Sequence, residues 1–270
     1  METFFNFLKG MVIGIANIIP GVSGGTMAVV LDIYDNLISS ISDFFKDWKK
    51  NLRFLLPIVL GAGAGILLFS KLLKNLLDNY PIPTSFFFIG LIVGSIPLIA
   101  KKANETKFKK VNLIPFFITF IFLVSLSIIA PPEMNETIIR ELSVGAFIKL
   151  TLAGAIGAGA MIMPGISGSF ILLIIGLYTT IITAIDEFNI PILIPVGIGV
   201  LLGLAFITKL IESLLKKYPG PTYFGILGLV IGSIFSIYKG ITFDLQGIVS
   251  IVVLILGMLL AYFLGGEKKK

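Results

Sequence analysis

Two short motifs carry the residues best suited to chemistry. Pro20-Gly21-Val22-Ser23-Gly24-Gly25-Thr26 lies near the start of the chain, and Pro164-Gly165-Ile166-Ser167-Gly168-Ser169 lies past its middle. Each sits in an apolar stretch and should break a helix there. Proline ends an incoming helix, and glycine permits φ > 0 and close backbone approach. Ser23 or Ser167 can then cap the outgoing helix. The N–H groups of Gly24, Gly25 and Thr26, or of Gly168 and Ser169, would be left at a positive dipole end, a place that attracts anions. The chemistry expected of the pair is anion binding, with two half-helix N-termini meeting around one phosphate. The competing reading is structural, two turns in tight helical hairpins.

Gly21-Val22-Ser23-Gly24-Gly25 also satisfies the G-x-S-x-G pattern of serine hydrolases. That nucleophile needs a base, usually histidine, and the 270 residues contain no histidine and no cysteine. An intramembrane hydrolase would have to pair Ser23 with Lys71, and a duplicated motif is odd for one nucleophile. The same absences remove Cys/His zinc sites, disulfides and haem ligands. No metal or cofactor is expected, and the chain is read as a non-enzyme. Lys71 and Lys209 follow long apolar runs, so each could face a phosphate or snorkel to an interface. Asp32 and Asp35 follow the first motif, where they could couple protons or mark an emerging half-helix. Gly176 and Thr179 stand at the matching places after the second motif.

The elements that must position these residues are membrane helices. Hydrophobic residues make up 56% of the chain and charged residues 13%, with a mean hydropathy of +1.04. Soluble domains carry roughly 25% charged residues. The net charge of +6 does not point to nucleic acid, because excess lysine in a membrane protein marks cytoplasmic loops. Apolar runs at about 54–73, 83–100, 111–130, 190–210, 220–238 and 245–266 have the length of full spans. The uncharged stretch 150–185 would extend to ~54 Å as one helix, against a hydrocarbon core of ~30 Å. It must therefore fold back, as must its counterpart at about 10–41. Ten full crossings is the alternative count.

The chain aligns with itself. Residues 15–41 match 159–185 at 9 of 27 positions, and 57–96 match 195–234 at 17 of 40. Among the matches are Tyr34 with Tyr178, Lys71 with Lys209, Tyr80-Pro81 with Tyr218-Pro219, and Gly90 and Gly94 with Gly228 and Gly232. The first apolar run is thus read as part of a repeat rather than as a signal peptide. The expected fold is an all-α polytopic membrane protein with two inverted-topology repeats, 1–135 and 136–270, each a re-entrant helical hairpin plus three transmembrane helices. A returning hairpin followed by three crossings starts the second repeat on the opposite side. Lysine and arginine sort accordingly, 16 to one side and 5 to the other. The positive-inside rule then places both termini in the cytoplasm, in a plasma-membrane protein. The paired glycines read as small-residue helix packing, and the Tyr-Pro pairs as helix stops.

Ile19-Pro20-Gly21-Val22-Ser23-Gly24-Gly25-Thr26, then Ile33-Tyr34-Asp35, then the second Pro-Gly-Ile-Ser-Gly-Ser, carry a family resemblance. Over about residues 5–265 the chain resembles the bacterial and archaeal polyprenyl-phosphate (undecaprenyl-phosphate) transporters of the PopT type, formerly a membrane family of unknown function. Asp32 departs from the glycine such sequences commonly carry before Ile-Tyr. The resemblance implies a translocase returning undecaprenyl phosphate, or an archaeal counterpart, from the outer to the cytoplasmic leaflet for cell-envelope synthesis. Its partners would be that lipid and the bilayer. The physics of the motifs by itself equally allows a small-anion transporter on the same scaffold.

Overall fold

The computed structural model describes residues 2–17, 19, 22–105, 109–128 and 138–265. Among them are twelve α-helices, a short 3₁₀ turn at Lys110–Asn112 and no strand. In chain order the helices are α1 Glu2–Asn17, α2 Gly24–Val30, α3 Tyr34–Ser42, α4 Trp48–Asn79, α5 Pro81–Asn104 and α6 Leu113–Ile128. The second half follows with α7 Val144–Ile162, α8 Gly168–Ile174, α9 Tyr178–Asp186, α10 Ile190–Lys217, α11 Pro219–Ile237 and α12 Leu245–Gly265.

Seven stretches of described helix are long and apolar enough to cross a membrane, which makes this a multi-pass membrane protein. Six match the runs expected as spans, and the seventh is α7, the first arm of the second expected hairpin. Several boundaries differ from the expectation. The first helix starts at Glu2 rather than near residue 10, and α4 continues through Lys71 and Lys74 to Asn79. Isolated lysines do not stop a helix. Tyr80 does, because Pro81 cannot continue the hydrogen-bond ladder.

Each expected hairpin has a further break after its short central helix. In the second half α8 and α9 meet at 113°. The chain turns there through Gly176 at φ +70°, with Leu177 N donating to Leu172 O and Gly176 N to Leu173 O. The first half repeats this helix-ending motif through Asp32 at φ +53°, with Ile33 N donating to Ala28 O and Asp32 N to Val29 O. A shared left-handed position explains why aspartate here matches glycine there, since short Asp and Asn side chains tolerate that conformation.

Four helix pairs run parallel with their backbones in near contact. Gly10 and Gly14 of α1 face Ile58 and Ala62 of α4, and Gly154 and Gly159 of α7 face Val196 and Ile207 of α10. Gly90 and Gly94 of α5 face Leu254 and Met258 of α12, while Gly228 and Gly232 of α11 face Phe116 and Phe120 of α6. A Cβ on Gly61 or Gly199 would lie 2.0 Å from the carbonyl oxygen of Phe7 or Thr151. Small residues thus permit the close approach that dispersion needs in lipid. At the centre, α5 packs on α11. Their apolar windows are 67% and 56% buried, against 11% for the segment containing α6.

Candidate functional site

The first motif folds as a sealed joint. Ser23 caps α2 from an extended backbone, its Oγ accepting from Gly25 N at 3.1 Å and Thr26 N at 3.4 Å. Gly24 N donates to Asn17 Oδ1 at 3.0 Å. The donors expected to await an anion are therefore satisfied by neighbouring side chains. Every residue of α2 is buried. Pro20 and Gly21 lie outside the described residues.

This joint is bonded to the second motif. Ser23 Oγ donates to Met163 O at 3.2 Å, and Thr26 Oγ1 accepts from Gly165 N at 2.7 Å. Gly165 has φ +81°, and a Cβ there would lie 2.6 Å from Leu229 O of α11. Only glycine suits that position on both counts. Pro164 and Gly165 are buried beside it. The two motifs do come together, as contacting turns rather than as two facing, empty N-termini.

The second motif is the open one. Ser167 caps α8 by accepting from Phe170 N at 3.5 Å, and its Oγ lies 2.8 Å from Ser169 Oγ. Only Gly168 of α8 is buried, and Ser169 is exposed. Beside this turn is a cavity of about 200 Å³ lined by Leu123, Leu126 and Ser127 of α6, Gly165 to Ser167, Phe170, and Ser236 of α11. Serines from three elements line it, and Ser127 Oγ already donates to Val124 O at 2.8 Å. Among the described residues no ionisable side chain lines it. Ser127 and Ser236 were not singled out from the sequence. As isolated serines in apolar runs they have no motif, and only helix packing brings them to Ser167.

The acidic candidates form a separate cluster. Lys102 Nζ of α5 lies 2.7 Å from Asp32 Oδ1 and 2.9 Å from Asp35 Oδ2. Tyr223 of α11 donates its hydroxyl to the same Asp35 oxygen at 2.6 Å, and Lys102 Nζ lies 5.8 Å from the Tyr223 ring centroid. Asp35 Oδ1 is buried, with no hydrogen-bond partner among the described residues. Lys102 and Tyr223 were also missed, because partners 67 and 188 residues from Asp35 leave no local signal. Tyr223 and Ser236 stand 13 positions apart on α11, about 20 Å at 1.5 Å per residue. The cluster and the serine cavity thus occupy opposite ends of one central helix. Lys71 and Lys209 are exposed on α4 and α10 and line none of these cavities. A buried Glu212, bonded to Lys216 at 2.5 Å and to Ser42 Oγ at 2.6 Å, joins α10 to α3.

Comparison with known proteins places this architecture. The family model described as undecaprenyl phosphate translocase-like matches residues 13–248. A polyprenyl-phosphate transporter of Staphylococcus aureus is 37% identical over 273 residues, covering 97% of this chain and 96% of the relative. A polyprenyl-phosphate transporter of Vibrio cholerae is 32% identical over 252 residues, covering 88% and 78% respectively. No solved structure matches the chain. Both broken-helix motifs fall inside the matched region, and the chain belongs to the undecaprenyl phosphate translocase-like family.

Proposed function

We propose that this protein moves polyprenyl phosphate, with undecaprenyl phosphate as the substrate, from the outer to the cytoplasmic leaflet. The observation that carries this reading is the cavity at the second break. Ser167, Ser127 and Ser236 line a space of about 200 Å³ inside a membrane bundle, and the similar proteins are named as transporters of this lipid class. Ser167, Gly168 and Ser169 offer donors to the phosphate. Ser23, Gly24, Gly25, Thr26, Pro164 and Gly165 hold the turn in shape. Asp35, with Lys102, is the coupling group at the other end of α11.

Two inverted repeats, 1–135 and 136–270, supply the alternation. The pairing of α1 with α4 and α7 with α10, and of α6 with α11 and α12 with α5, supports that division. Under that correspondence α1–α4 maps onto α7–α10 and α6–α11 onto α12–α5, whereas the α3–α10 contact has no such match. The hydrolase reading finds no support at Ser23, a residue only 2% exposed whose Oγ donates to a backbone carbonyl.

The test is a proteoliposome assay that follows headgroup-labelled undecaprenyl phosphate between leaflets. Wild type should translocate the lipid, and Ser167→Ala should slow it by about tenfold, the worth of one hydrogen bond to a charged group. Saturable flux of soluble phosphate without lipid movement would instead establish the small-anion carrier.

A further inference from the structure

Beside the second break lies an apolar groove of about 440 Å³ between α7 and α10. We propose that it holds the isoprene units next to the phosphate, as a binding site for an unsaturated branched chain. This inference rests on the serine cavity being the headgroup site. The two spaces are adjacent, with the buried side chain of Ile166 as their shared wall. A single residue between Gly165 and Ser167 therefore stands between a space that carries three serines and a wholly apolar one, as an esterified prenyl phosphate requires.

The groove has a small-residue floor and large walls. Gly159 and Ala160 of α7 form the floor, while Phe122, Leu202 and Phe206 form the sides. Close α7–α10 packing keeps that floor shallow, because Gly203 brings α10 against Ala155 O. The walls are open to the bilayer: Leu202 is 58% and Phe206 69% exposed. A chain in the groove stays in hydrocarbon while its head occupies the serines, so the tail crosses no polar barrier. A second apolar groove, of about 380 Å³ by Tyr34, Thr119 and Tyr218, shares no lining residue with the serine cavity. It therefore lacks the head-to-tail continuity.

The test uses undecaprenyl phosphate carrying a diazirine on the isoprene unit next to the phosphate, with the full chain in proteoliposomes. Photolabelling should fall on Phe122, Ile156, Leu202 and Phe206, and excess undecaprenyl phosphate should suppress it where polyprenol does not. Ile156→Trp and Leu202→Trp, each narrowing the groove from an exposed position, should lower translocation by about tenfold, the scale of overpacking. Leu67→Trp on the exposed face of α4 should leave it unchanged. Translocation with labels spread equally over α4 and α12 would overturn the groove and leave the transport reading standing. Suppression by polyprenol as well would also overturn it, by making the groove a general lipid surface. Groove labelling with no translocation would retain the groove and overturn the transport reading.

Discussion

Ser23 and Ser167 occupy the same place in their motifs yet do different work. Ser23 satisfies two backbone N–H groups and donates across to Met163, 140 residues away. Ser23→Ala should cost about 1–2 kcal/mol, the worth of a lost cap, read as a lower unfolding midpoint in detergent. Ser167→Ala removes one long cap bond of 3.5 Å and should lower that midpoint less than Ser23→Ala while slowing translocation, because Ser167 lines a cavity. Equal effects in both assays would refute the division. A similar contrast applies at Asp32, held at φ +53°. Asp32→Gly suits the backbone and loses only the Lys102 contact. Asp32→Val loses the contact and adds a left-handed penalty of about 1–2 kcal/mol, so the valine variant should unfold first.

At the scale of elements, the Asp35–Lys102–Tyr223 cluster ties α3, α5 and α11 together. Tyr223→Phe removes one hydrogen bond to a carboxylate, costing about 1.5 kcal/mol in this partly exposed setting. Lys102→Met leaves two carboxylates without their cation and should destabilise more than Tyr223→Phe in the same thermal assay. A Lys102→Met variant as stable as wild type would show that the cluster holds nothing together. The elements themselves were largely legible. Pro20 and Pro164 marked the main breaks, and matched glycines marked the helix contacts, because those residues have few backbone alternatives. The second break, at Asp32 and Gly176, was not foreseen. One aspartate and one glycine in apolar sequence do not announce a left-handed residue until the preceding helix is known to end there.

For the whole molecule, the chain lacks cysteine, so single introduced cysteines report topology cleanly. Lys50→Cys and Lys216→Cys should react with an impermeant maleimide only from the cytoplasmic side, and Lys239→Cys only from outside. Labelling of all three from one face would break the inverted-repeat assignment. The sequence by itself determined a membrane protein, a duplicated break and a sorted distribution of lysines, because composition, proline, glycine and charge act locally or through loops. It did not determine which break is buried. In a bilayer, protein-facing and lipid-facing residues are both apolar, so hydrophobic pattern does not separate inside from outside as it does in water. Tertiary packing alone surrounded α2 on every side, left α8 with only Gly168 buried, and brought Ser127 and Ser236 to Ser167. The two motifs, expected as equals around one phosphate, became a sealed support and an open site.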